Sequence, residues 1–239
     1  MTVSIQSCGS FSTSVIVSIH QPAHLPWLGY FDRIVSSDVF VFLDNVQFEK
    51  NSFTNRNRIK TPSGPLWLTI PVVTHGHRQN ILDIRMDETQ FWQKRQLRSI
   101  EQNYSKAVCF DDRFAKLEAL YQPAAEGLAE FCYRQLIFWL AEFGISTPVV
   151  RASVLPIHGY KSDLVLALCQ HLGATTYLSG PLGRNYLQED EFERAGIEVR
   201  YHQYAHPTYQ QLHGEFVPQL AAADYWLNCP SVDLFRNIK

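Results

Sequence analysis

Residues Val15 to Lys50, VIVSIHQPAHLPWLGYFDRIVSSDVFVFLDNVQFEK, constrain the fold of this chain more than any other stretch. Val15 to His20 is a β-branched run with a polar end, long enough for one buried strand. Pro26 suits the first turn of a helix, where its missing N–H is not needed. Trp27, Leu28, Phe31 and Ile34 then recur at helical spacing, and Asp38 to Asp44 reads as a second buried strand. Strand, helix and strand in this space make a βαβ unit, with parallel strands and a right-handed crossover. Parallel α/β sheets bind ligands at the carboxyl ends of their strands, near helix N-termini. That edge is expected to carry His20, Gln21, His24, Asp44, Asn45 and Gln47. His20, His24 and Asp44 are the candidate catalytic residues, and Gln21, Asn45 and Gln47 candidate binding residues.

The rest of the chain extends the pattern. Asn45 to Pro65 reads as a long loop bearing Lys50, Arg56, Arg58 and Lys60, and no acid occurs between Glu49 and Asp83. Loops of this length are usually functional or mobile, so Arg56, Arg58 and Lys60 are candidate anion-gripping residues. Leu66 to Val73 and Ile81 to Met86 read as a strand pair. Glu88 to Phe143 is mostly helical, and alternation resumes with strands at Thr147 to Ser153, Thr175 to Ser179 and Ile197 to Tyr201 and helices at Lys161 to Leu172 and Tyr186 to Ala195. The expected fold is a doubly wound α/β domain over 15–239, Rossmann-like, with a mainly parallel sheet of about five strands and a helical insertion at 88–144. The Ser- and Thr-rich residues 1–14 are expected to be a mobile leader.

A second cluster follows the strand at Thr175 to Ser179. In GPLGRNYL, Gly180 and Gly183 let backbone approach a ligand, and Arg184 and Asn185 stand beside them as candidate phosphate or carboxylate binders. His202, His206 and His213 cluster too, but Pro207 breaks any helix there and no third ligand is obvious, so no zinc is expected. There is no G-x-S-x-G elbow and no Walker loop. Five scattered cysteines suggest neither a disulfide framework nor a metal cluster, which together with the lack of a signal peptide points to a reducing cytoplasm. With 46% hydrophobic residues and net charge −2, the composition is that of a globular protein with no global pull on nucleic acid. No stretch approaches the length of a membrane span.

HQPAHLPWLGYFDRI and SDVFVFLDNVQFEKNSFTNRNRIK, followed by LWLTIPV, SIEQNYSKA, TTYLSGPLGRNYL and FERAGIEVRYHQY, resemble the WbqC-like proteins over Val15 to Asn228. The resemblance implies a place among bacterial surface-polysaccharide genes and transfer of glycine or another amino acid. The chain departs from the family pattern at His24, where tyrosine or asparagine is common. H-x3-H-x-P-x-x-G at His20 to Gly29 also resembles the histidine-bearing loop of nucleotidyltransferases, and GRNYL the triphosphate-side loop of pantothenate synthetases, although their lysine motif is missing. Those likenesses make ATP a candidate cofactor. Two functions stay open: a transferase or ligase joining an amino acid or similar acyl group to an amine of a sugar or small metabolite, and a non-catalytic module binding a nucleotide or nucleotide-sugar.

Overall fold

The computed structural model describes residues 14–74, 76, 78–122 and 127–235, so the expected leader lies outside the described residues apart from Ser14. Strand β1 (Ile16–His20) leads through helix α1 (Leu28–Val35) to β2 (Val39–Phe42), and the two strands pair in parallel with Val17 opposite Val39 and His20 opposite Phe42. Two small antiparallel units follow, β3 (Arg56–Thr61) with β4 (Gly64–Thr69) and β5 (Val72–Val73) with β6 (Arg85–Met86). Helices α2 (Trp92–Tyr104), α3 (Phe110–Leu120) and α4 (Leu128–Glu142) form the insertion. The main sheet resumes with β7 (Val149–Arg151), α5 (Lys161–His171), β8 (Thr176–Ser179), α6 (Glu189–Arg194) and β9 (Glu198–Tyr201), and α7 (Ala222–Asn228) comes last.

The five main strands are parallel throughout, in the order β7-β2-β1-β8-β9. The chain therefore winds outward from β1 through β2 to β7, then restarts on the other side of β1. That reversal puts the topological switch point between β1 and β8, where doubly wound sheets open a crevice at their carboxyl ends. Period-two alternation divides the core. Val17, Ile19 and Val41 pack with Leu164, Leu168 and Phe192 of α5 and α6, whereas Phe40 and Phe42 join Phe31, Ile34 and the insertion on the opposite face. Tyr30 meets Phe40 edge-on at 5.5 Å, and Phe31 meets Phe143 at 5.2 Å.

Two expectations need correction. The segment 45–65 is not one loop: its second half is β3, closed onto β4 by a turn in which Gly64 takes a φ of +104° and Thr61 Oγ1 donates to Gly64 O at 2.7 Å. Asn57, Ile59 and Lys60 are buried, so this strand hides mostly polar residues, and apolar periodicity could not reveal it. The helix expected at Tyr186 to Ala195 is a 3₁₀ turn over Pro181–Asn185 followed by the shorter α6, because Tyr186 and Gln188 leave the helical region.

Candidate active site at the switch point

Helix α1 turns its apolar face inward, yet that face includes Arg33, only 6% exposed. The Arg33 guanidinium reaches the carboxyl end of β8 and occupies the space a Cβ at Gly180 would fill. Among the described residues it has no hydrogen bond or ion pair, and its Nε is sealed from solvent. The phenols of Tyr177, Tyr30 and Tyr186 lie within electrostatic reach, and burial holds those of Tyr177 and Tyr30 well above the ordinary tyrosine range. Burial disfavours the cation. Arginine nevertheless keeps its proton inside proteins, so the switch point holds a buried positive charge that no carboxylate pairs with among the described residues.

His20 ends β1 beside that charge. Its ring lies 4.9 Å from Tyr30 and 5.6 Å from Trp27, edge-on to both. Nδ1 donates to the Gln21 carbonyl at 2.7 Å, which fixes the tautomer and leaves the Nε2 lone pair available. Burial first, and the Arg33 cation second, push the imidazolium down to about 3 against the help of the Gln21 carbonyl. His20 is therefore neutral at pH 7. On the β9 side, His202 Nε2 donates to Asp32 Oδ2 at 2.6 Å, with side-chain exposures of 10% and 21%. The His202 N–H also donates to Ser179 O at 2.8 Å, which fastens this pair to the end of β8. A carboxylate holding one imidazole nitrogen leaves the other to accept a proton, the arrangement of catalytic Asp–His pairs.

The other residues singled out in the sequence divide between this crevice and elsewhere. Asp44 is fully buried at the far side of the sheet edge, and its oxygens are taken by Arg151 Nε (2.9 Å), Ser153 N (2.9 Å) and Ser153 Oγ (2.8 Å). It clips β2 to β7 and presents no open oxygen. His24 is also fully buried: Nε2 donates to Gln96 Oε1 and Nδ1 accepts from Gln135 Nε2, both at 3.0 Å, inside a wall formed by Trp92, Tyr121 and Phe131. That places it in the insertion's core, outside the crevice. Asn45 donates weakly to Ala152 O at 3.4 Å, Gln47 is exposed and bridges Asn80, and Gln21 contributes its carbonyl to His20.

Nor does the helix N-terminus offer itself to an anion. Trp27 bridges Ala221, Ala222 N donates to Pro26 O at 2.8 Å, and a Cβ at Gly29 would meet Tyr204 at 2.6 Å, so the entry to α1 is covered. Gly183 gives its N–H to Gly180 O at 3.0 Å, and its missing side chain makes room for Ser179. Arg184 is exposed and stacks at 3.8 Å over Tyr201, and Asn185 is exposed beside it. Arg56 and Arg58 project from β3 over Trp67. Lys60 is buried and holds the carbonyls of Glu215 (2.5 Å) and Gly214 (3.4 Å). The clustered histidines diverge: His202 to Asp32, His206 to Tyr204 Oη and His213 to Asn103 O. Among the described residues no group of three or more His, Cys, Asp or Glu is placed to hold a metal ion, and no helix is long and apolar enough to cross a membrane.

Sequence reasoning missed Arg33 and Asp32, and weighed His202 only as a zinc ligand. Asp32 and His202 stand 170 residues apart, and nothing local joins them. Arg33 did carry a signal, a charge on the apolar face of a short amphipathic helix, which reads equally well as a side chain reaching solvent.

Comparison with known proteins adds lineage. A sequence model of the WbqC-like protein family matches residues 21–234. The uncharacterized protein Rv1507c of Mycobacterium tuberculosis is 34% identical over 215 residues, covering 89% of this chain and 93% of that one. No solved structure matches the chain.

Proposed function

This chain belongs to the WbqC-like protein family, and on that footing we propose that it is an enzyme joining an amino acid or similar acyl group to the amine of a sugar or small metabolite. The observation that carries the proposal is Arg33, a buried cation at the switch point with no hydrogen bond or ion pair among the described residues, with a neutral His20 within electrostatic reach and the Asp32–His202 pair tied to the end of the same strand. An uncompensated buried charge is costly, and a bound phosphate or carboxylate supplies what it lacks.

In this reading the acyl donor's anionic group rests on Arg33, which also favours negative charge as it develops on the carbonyl oxygen. His20 Nε2 accepts a hydrogen bond from the incoming amine and orients its lone pair. The amine forms the C–N bond, its surplus proton passes to His202 Nδ1, and the bond to the leaving group breaks with its electron pair. Asp32 offsets the imidazolium so formed. The single guanidinium suits one phosphate or carboxylate, and the glycine turn spends the Gly183 amide internally. That favours a donor that arrives already activated over a triphosphate cradle for ATP.

Calorimetric titration with inorganic phosphate, pyrophosphate and glycine, repeated on Arg33→Met, tests the site. The inorganic-phosphate response is expected in the wild type and lost in Arg33→Met; equal phosphate binding by both proteins, or none by either, overturns it. Pyrophosphate exchange into ATP with an amino acid present would move activation onto this chain. Tight nucleotide binding with no acyl transfer under any donor would favour a non-catalytic binding module.

A further inference from the structure

A row of rings leads out of the crevice along the surface. From His20 it steps 5.6 Å to Trp27, 5.0 Å to Phe53 and 6.2 Å to Trp67, measured between ring centres. Phe53 and Trp67 are each 42% exposed, a large apolar outlay for side chains that complete no core. Register explains the far end: Arg58 and Trp67 are cross-strand partners in the β3–β4 hairpin, and Arg56 lies two residues along on the same face. The Arg56 guanidinium stands 4.2 Å over the Trp67 ring and that of Arg58 5.4 Å from it. Their side chains form no ion pair and no hydrogen bond among the described residues, and the Nε of each is shut from solvent. With no acid anywhere between Glu49 and Asp83, this hairpin brings no carboxylate of its own to them.

We infer that this aromatic and arginine track is the subsite for the nucleoside diphosphate of a nucleotide-linked amino-sugar acceptor. The inference rests on the transferase reading and names its acceptor class. Stacked guanidinium planes are held ready for bidentate contact with phosphate oxygens, while exposed tryptophan and phenylalanine faces take a base or the apolar face of a sugar ring. A neutral sugar would leave both guanidiniums unanswered, and inorganic phosphate alone would leave the rings bare. A base, a diphosphate and a sugar in series answer both, with the sugar amine directed along Trp27 toward His20.

Isothermal titration with UDP, GDP and ADP, set beside pyrophosphate and uridine, is the test. At least one nucleoside diphosphate should bind the wild type more tightly than pyrophosphate or uridine does. Arg56→Gln and Trp67→Ala should each weaken it about tenfold or more, while the response to inorganic phosphate at Arg33 stays as in the wild type. Both side chains are partly exposed, and unchanged melting temperatures confirm that the variants fold. Quenching of fluorescence by the bound base should be reduced in Trp67→Phe. If no nucleoside diphosphate binds the wild type, or if Arg33→Met abolishes binding while the Arg56 and Trp67 variants keep it, the track is not the subsite and the crevice reading stands. If the track variants lose nucleotide while no phosphate binds at Arg33, the crevice reading fails and the subsite stands.

Discussion

Arg33 is the residue on which function and stability pull apart. Replacing a buried unpaired cation with an apolar side chain of similar length removes a desolvation cost, and such exchanges are commonly neutral or stabilising. Arg33→Met is therefore expected to melt at or above the wild-type temperature while losing the response to phosphate; a marked fall in melting temperature would show that Arg33 has a structural partner. The same variant reports on His20. Arg33 is the second cause of the low His20 titration point, after burial, so removing the cation should move that point upward from about 3 without restoring the ordinary value. Proton NMR of the His20 ring across pH 2.5–6 reads the shift, and an unchanged titration would separate the two residues. Asp44 belongs to the opposite class. Asp44→Asn strips Arg151 and Ser153 of an ionised acceptor and should cost about 1.5–3 kcal/mol of stability in urea denaturation. Normal stability would return Asp44 to consideration as a reacting group.

At the scale of elements, the parallel framework was legible because it rests on local chemistry. The run Val15 to His20 becomes β1, Thr175 to Ser179 becomes β8 and Ile197 to Tyr201 becomes β9, each within one residue of its observed start. β-branched runs bounded by Gly and polar residues state themselves. The β3–β4 hairpin was not legible, since its buried members include Asn57 and Lys60, whose partners Leu25 O and Glu215 O come from elsewhere in the chain. In the turn after β8 the glycines serve packing, and the Gly183 amide is spent on the Gly180 carbonyl. Gly180 lacks a side chain so that Arg33 fits against it. Gly180→Ala puts its Cβ against the free end of a flexible side chain, so the fold should tolerate it while the guanidinium is displaced from the crevice. The expected outcome is weakened phosphate binding with a melting temperature close to wild type. Full phosphate affinity in Gly180→Ala would mean that Arg33 does not meet the anion there.

Across the whole molecule, the insertion and the sheet are joined by a buried polar knot around His24. Gln96 belongs to α2 and Gln135 to α4, and both hold the His24 ring, while Gln135 Oε1 also accepts from Leu25 N at 2.7 Å and Leu25 takes a left-handed φ of +45°. The loop that follows His20 is thus fastened to the helices by a histidine that must stay neutral. Burial drives the His24 titration point down to about 4, opposed by the hydrogen bonds to Gln96 and Gln135. An unfolded chain binds a proton at this position near pH 6.5, and the folded chain does not until near pH 4. Between those values the unfolded state holds more protons, so stability rises with pH there. The contribution is fully present above about pH 6.5 and is lost progressively as pH falls, to a total of roughly 3 kcal/mol by pH 4. His20, lowered in the same direction, adds to the slope. Urea midpoints measured from pH 7 to pH 5, a window chosen to stay above most carboxylate titrations, should therefore fall steadily for the wild type. In His24→Asn the protein is less stable at pH 7, because the knot loses a ring that satisfied two glutamines, but its midpoint should fall less steeply over the same range. Parallel slopes in the two proteins would show that His24 does not carry the acid sensitivity. A shallower slope would place the joint between insertion and sheet at this one imidazole.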